Sequence, residues 1–332
     1  MKIRSFSLVP VAVSALMALA TGCGTTSGTA KPDPAETDVT VAALPAADLA
    51  GLYIALDQRL FAQQGLHVTI EPIASSQAVI AAQLKGQVDI SAGAYIPYIA
   101  AQAAGARFRV LAEASTLRPD TRVLVTTANS PIVTVSGLAG RKIGVNGTNS
   151  IGTLLISVLL YNHGISPARV RLVTDPQGFP AMPAQLQAGV WSAAFLAEPY
   201  ITLAGAKYGD RVLADLDQGS ALNFPIDGYV ATTAWAQKHP DTAAAFVRAI
   251  EAGQLLADTN AAAAQAAIAK YDDLGPVVTT SMALSGYPVG SVNEARIQRV
   301  ATAMLQFGLL GQQDAAEVEH GTLAQSMVGS GS

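Results

Sequence analysis

Two short segments carry side chains suited to holding a small polar molecule: Ser75, Ser76 and Gln77, and Thr148, Asn149 and Ser150. Each stands between a β-rich run (66–73 and 142–145) and a stretch with helical periodicity (77–85 and 151–162). A strand ending in such a segment delivers hydroxyl and amide groups to the first turn of a helix. There, unpaired backbone N–H groups and the positive end of the helix dipole favour an anionic group by about 0.3–2 kcal/mol. The same residue types are ordinary N-caps, so a capping role for Ser75, Ser76, Asn149 and Ser150 stays open. Two carboxylates add further capacity. Asp48 either accepts hydrogen bonds from a ring N–H or an amine, or caps the helix that begins with Leu49. Glu198, just before Pro199, either reaches a ligand or matches the dipole of the helix behind it, with Pro199 at its first position. Tyr53, Tyr95, Tyr98, Tyr200 and Tyr229 offer flat amphipathic walls. Tyr95 is the expected contact, because it follows the strand-like run 88–91 and an Ala92-Gly93-Ala94 turn where a backbone can approach closely.

These candidates contain carboxylates and hydroxyls but no Arg or Lys, which disfavours a multiply charged anion and leaves zwitterions, monoanions and neutral heterocycles. Catalytic fingerprints are missing. The stretch from Gly147 to Gly152 approaches Gly-x-Ser-x-Gly, but Thr148 takes the place of the first glycine. Neither a phosphate-binding Gly-x-x-x-x-Gly-Lys nor a dinucleotide Gly-x-Gly-x-x-Gly follows a strand. With one cysteine and four scattered histidines (His67, His163, His239, His320), no metal or cofactor is expected. Lys plus Arg number 20 against 24 Asp plus Glu, without any basic concentration, so nucleic acid is not an expected partner.

The elements that must position these residues follow from pattern. A chain of 332 residues with 50% hydrophobic and 13% charged side chains folds over most of its length, and its size suggests two lobes. From Val39 short β-rich runs alternate with helical ones, which indicates an α/β architecture with largely parallel sheets. One helix is expected after Pro45, where Leu49, Leu52, Tyr53, Leu56 and Leu60 share a face. A second series opens near residues 123–126, and two stretches, 82–90 and 184–193, repeat a helix end, a glycine and a strand. Beyond a strand at 229–233 the chain is helical, so it is expected to return over the first lobe. The backbone then crosses between lobes near 123–127 and 227–232, with a two-segment hinge at Val125 and Tyr229. Residues 39–124 plus 230–332 form lobe 1 and 125–229 form lobe 2.

The N-terminus reads as an export leader. Lys2 and Arg4 precede an apolar run at 8–20, shorter than the roughly 20 residues of a membrane-spanning helix. Ala20-Thr21-Gly22-Cys23 resembles the bacterial lipobox, with Ala20 where leucine is usual; the resemblance implies a signal peptide at 1–22 and a lipid on Cys23. A Gly-, Thr-, Ser- and Pro-rich tether follows to residue 38. Without Lys2 and Arg4, 18 basic residues face 24 acidic ones, a net charge of −6 that does not itself seek anionic lipid.

Several phrases carry a wider likeness: Gly51-Leu52-Tyr53-Ile54-Ala55, the stretch from Leu60 to Val68, the stretch from Gln83 to Ile90, the stretch from Gly137 to Val145, and Glu198-Pro199. In this order they resemble the solute-binding lipoproteins of ABC importers, in the branch that takes nitrate, sulfonates, taurine, thiamine-precursor pyrimidines and riboflavin. The resemblance implies a periplasmic-binding-protein-like fold of two α/β lobes with a cleft between them. It also implies capture of a small organic solute for an ABC permease and its ATPase subunits, outside the membrane. The resemblance places ligand contacts at the two loops of Ser75, Ser76 and Gln77 and of Asn149 and Ser150; with Asp48, Tyr95 and Glu198 from the reading above, these are the expected ligand-binding residues, and no catalytic residue is expected. Pyrimidine-precursor binders carry a histidine after the polar residue at the place of Asp48, and Leu49 stands there instead. Relatives that make the thiamine pyrimidine use a cysteine-rich segment absent here. Two other readings remain: a secreted hydrolase-type enzyme using Asp48 or Glu198 as acid or base, and a non-transporting sensory lipoprotein.

Overall fold

A computed structural model describes residues 36–328 except 44, 45, 74, 75 and 273; the leader, Cys23 and Ser75 lie outside the described residues. Strand β1 (Thr37–Ala43) is built from β-branched residues that favour extended backbone, and buries Val39, Val41, Ala42 and Ala43. A 3-10 turn (Ala47–Leu49), α1 (Ala50–Asp57) and α2 (Leu60–Gln63) follow. These three pieces replace the one helix expected, because Arg59 takes a left-handed conformation (φ 54°) that no continuous helix accommodates. The first series continues with β2 (Leu66–Pro72), α3 (Ser76–Leu84), β3 (Ile90–Ala94), α4 (Tyr95–Ala103) and β4 (Phe108–Thr116). Ala92-Gly93-Ala94, expected as a turn, is the end of strand β3, with Ala92 paired to Ala43 of β1; Tyr95 then opens a helix.

The second series comprises β5 (Arg122–Thr126), β6 (Lys142–Val145), α5 (Ile151–Asn162), β7 (Arg171–Thr174), α6 (Met182–Gln187), β8 (Ala193–Ala197), α7 (Tyr200–Tyr208) and β9 (Arg211–Asp215). After β10 (Pro225–Thr232) the chain is helical: α8 (Thr233–Lys238), α9 (Pro240–Thr259), α10 (Ala261–Asp272), α11 (Pro276–Ser281), α12 (Glu294–Gln306) and two short terminal helices. Among the described residues no helix is long and apolar enough to cross a membrane.

Two five-stranded sheets result, ordered β2-β1-β3-β10-β4 and β7-β6-β8-β5-β9. They are built alike. In each, four strands share one direction, and the fourth position is held by a reversed strand that the chain enters straight after leaving the other sheet. Gly86 and Gly189, the glycines of the repeated sequence stretch, both take positive φ (68° and 74°). The crossings are residues 117–121 and 216–224. They precede the expected ones, because residues 122–124 pair within the second sheet and 225–229 within the first. Val125 and Tyr229 are therefore interior strand residues. The second crossing is gripped by Arg299 of α12, whose guanidinium donates to the carbonyls of Ser220 (2.7 Å) and Leu222 (2.8 Å).

The returning helices do cover the first sheet. α9 lies against α1, and a Cβ at Gly253 would stand 2.2 Å from the Gly51 carbonyl oxygen, so glycine is what allows this approach. Gln254 in the same helix donates to the carbonyls of Glu113 (3.0 Å) and Ala114 (2.7 Å), tying α9 to β4.

Candidate functional site

A cavity of about 190 Å³ opens between the two sheets. One wall comes from Asp48 and Leu49 after β1, Gln77 of α3, Ala92, Gly93 and Ala94 of β3, and Ile226 and Asp227 of β10. The other comes from Arg122 of β5, Asn146 and Gly147 after β6, Asn149, Ser150 and Ile151 at the start of α5, and residues 177–180 after β7. The lining thus gathers at the carboxyl ends of the parallel strands, where α/β folds leave crevices. Asp227 and Arg122 join it because an antiparallel strand starts where its parallel neighbour stops: Asp227 pairs with Ala94 and Arg122 with Ala197.

A charged cluster forms the floor. Asp48, 2% exposed, is ion-paired with Arg122 and accepts a hydrogen bond from Ser285 Oγ at 2.8 Å. Arg122, 3% exposed, also donates to the Thr121 carbonyl at 2.8 Å, while its Nε–H is buried without a partner. Asp227 accepts from Ser115 Oγ at 3.0 Å and lies close enough to Asp48 for the two carboxyl groups to interact electrostatically. Burial, and then the Asp48 carboxylate, push the Asp227 carboxyl well above its usual range, with Arg122 and Ser115 opposing. Two carboxyl groups near one guanidinium disfavour joint ionisation, which is the direction in which Asp227 is shifted. Asn146 adds a buried Oδ1 that accepts no hydrogen bond.

Of the residues expected from sequence, Asp48, Gln77, Asn149 and Ser150 are brought together around this cavity. Ser150 is also an N-cap: its Oγ accepts from Thr153 N at 3.4 Å and donates to the Gly147 carbonyl at 2.7 Å. Ser76 opens α3 beside Gln77. Tyr95 is not brought to the cavity. Its ring packs into the core against Gly228, where an added Cβ would fall 2.6 Å from the ring, and its hydroxyl is buried without a partner. Burial pushes that hydroxyl well above the usual tyrosine range. Glu198 also stays out of the cavity. Its carboxylate accepts from Thr202 N (3.1 Å), Thr202 Oγ1 (2.8 Å) and Ala283 N (3.2 Å), so it caps α7 and ties this segment to the one after α11. Its pKa is raised, mainly by burial, against the pull of these hydrogen bonds.

The lining includes Arg122, so the expectation of a site without Arg or Lys is corrected; Asp48 neutralises it on the spot. Sequence reasoning also missed Asp227, Asn146 and residues 177–180. Arg122 and Asp227 had a legible signal, a single charge inside an otherwise apolar strand (Arg122-Val123-Leu124-Val125 and Ile226-Asp227-Gly228-Tyr229-Val230). Among the described residues no group of three or more His, Cys, Asp and Glu is arranged to hold a metal.

Two sheets of this order with a cleft between them define a periplasmic-binding-protein fold, and similar solved structures agree. The periplasmic aliphatic sulphonate binding protein SsuA from Escherichia coli superimposes with a TM-score of 0.68 at 22% identity, over 83% of this chain and 94% of that one. The desulfurization enzyme DSZB does so with a TM-score of 0.66 at 17% identity, over 88% and 99%. The chain belongs to the family described as NMT1/THI5 like, which matches residues 46–264. A protein of Escherichia coli (strain K12) named for binding aliphatic sulfonates is 32% identical over 158 residues, 46% of each chain, so the match spans about half of that relative's length.

Proposed function

We propose that this chain is the extracytoplasmic solute-binding component of an ABC importer, tethered to the membrane by a lipid on Cys23. It captures a small organic solute between the two sheets and presents the closed form to a permease and its ATPase subunits. The observation that carries this reading is the cavity itself: both sheets contribute polar groups to one enclosed space, so a solute gains its full set of contacts only when the two walls meet. Such differential affinity is what drives a closing equilibrium. The two lobes are built on β1–β4 with β10 and on β5–β9, a few residues from the expected bounds 39–124 plus 230–332 and 125–229, and the crossings at 117–121 and 216–224 serve as the hinge. Membership of the NMT1/THI5-like family and the likeness to sulfonate-binding proteins support the reading.

A binding role is favoured over catalysis because the carboxylates weighed as acid or base are already engaged. Asp48 is held by Arg122 and Ser285, and Glu198 caps a helix outside the cavity. The test is a thermal-shift screen of sulfonates, nitrate, pyrimidines, flavins and small zwitterions on the purified protein. A solute that raises the melting temperature and is recovered unchanged is expected. The shift should vanish in Asn149→Trp, which fills the cavity from an exposed position. Recovery of a converted product, or a shift untouched by Asn149→Trp, would contradict the proposal.

A further inference from the structure

The charges of the cavity are unbalanced, and the imbalance bears on what the cavity accepts. Its ionisable lining consists of Asp48, Asp227 and Arg122. Arg122 is already paired with Asp48, so an incoming anion meets no free guanidinium and a second carboxyl group instead. The surplus acceptor capacity lies on the floor: Asp227 accepts from Ser115 and lies near Asp48, and Asn146 offers an Oδ1 that nothing donates to. Donor capacity lies above the floor, at the first turn of the twelve-residue helix α5, while the one unpartnered donor of the floor cluster is the Arg122 Nε–H.

Resting on the solute-binding reading, we infer that the solute brings a protonated or N–H-bearing nitrogen to the cavity floor, where Asp227, Asp48 and Asn146 receive it. The site therefore selects amino-bearing solutes, including zwitterions whose acidic end faces α5, over anions without an N–H group. As solute exchanges with solvent, a cationic nitrogen offsets the carboxyl charge that the single Arg122 guanidinium leaves unbalanced. The charged or titratable groups that face Asp227 are Asp48 from the 3-10 turn, Arg122 from β5, Tyr95 and Tyr98 from α4, and Tyr229 on its own strand. Burial raises all three tyrosines, which remain neutral, so the charge to be offset is that of the carboxyl pair alone.

Calorimetric titration of the full chain with matched probes tests this: 2-aminoethanesulfonate against ethanesulfonate, 4-aminopyrimidine against pyrimidine, and nitrate. In at least one pair the amino member is expected to bind at least about tenfold more tightly, as a hydrogen bond to a charged group requires. Asp227→Asn should erase that preference. Asn146→Leu, which leaves the ion pair intact, should reduce it about fivefold and keeps the test open should Asp227→Asn fold poorly. Equal or tighter binding of ethanesulfonate, pyrimidine or nitrate overturns the inference and leaves the receptor reading standing. A preference retained in both variants overturns it as well. Binding by none of these probes overturns it too, and the receptor reading falls only if the wider thermal-shift screen is also silent.

Discussion

Replacing Asp48 by Ala tests the charged floor most severely, and its cost can be worked from the contacts. The substitution leaves the Arg122 guanidinium buried, 3% exposed, with the Thr121 carbonyl at 2.8 Å as a remaining partner, and frees Ser285 Oγ. Removing one partner of a buried ion pair costs about 3–5 kcal/mol. Here Asp227 moderates the loss. Relieved of the neighbouring carboxylate, it can release its proton and become the counter-ion of Arg122, which places the cost near the lower end, about 3 kcal/mol. That compensation is testable as non-additivity. Asp227→Asn alone keeps an oxygen for Ser115 and leaves the Asp48–Arg122 pair intact, so about 1 kcal/mol is expected. The double substitution strands Arg122 completely and should cost about 6 kcal/mol, roughly 2 kcal/mol beyond the sum of the single changes. Urea unfolding of the four proteins at neutral pH, with equal m-values, measures all of these terms. Additivity within about 0.5 kcal/mol would refute the idea that the two carboxyl groups act on Arg122 as one site.

Three further outcomes follow from the same geometry. The raised pKa of Asp227 means that the folded chain holds its proton above the unfolded value of about 3.9. The stability this group contributes is complete below that value and is lost as pH rises through the folded pKa, so wild type should lose stability relative to Asp227→Asn as pH is raised above about 4. A flat difference in urea midpoints over that range would contradict the assignment. Tyr95→Phe removes a buried hydroxyl that has no partner and should be neutral or stabilising by up to about 1 kcal/mol, with unchanged solute affinity; a loss of binding in calorimetry would return Tyr95 to the site. Glu198→Ala deletes three hydrogen bonds at a buried helix start and should destabilise by about 1–3 kcal/mol while affinity stays within about twofold. A variant that melts normally but binds nothing would contradict its capping role.

Much of the architecture was legible because hydrophobic periodicity and β-branched runs are local signals. The strands around Val41, Ile143 and Phe195 and the amphipathic helices after them follow from the sequence pattern, and so does the return of the terminal helices over the first sheet. What was not legible depends on partners distant in sequence. Asp227-Gly228 reads locally as a turn, yet it lies inside β10, because β3 and β4 each supply a line of hydrogen-bonding groups and Gly228 leaves room for the Tyr95 ring. The same pairing shifts the crossings a few residues earlier than expected. Of the site, the polar loops after β1, β2 and β6 could be named from their composition. Which carboxylate faces the cavity could not: Asp48 and Glu198 have the same local signature, and they are separated only by Arg122 beside one and Thr202 and Ala283 beside the other. Arg122 stands 74 residues from Asp48, so no short window contains the pair.

The central claim is that a solute is held by both sheets at once. Hydrogen–deuterium exchange of the protein with and without the best solute from the thermal-shift screen tests it directly. Slower exchange is expected together at residues 46–49 and 92–94 on one wall and at 146–151 and 177–180 on the other, with 226–227 on the floor. Protection confined to one wall, or appearing away from these segments, would contradict capture between the sheets.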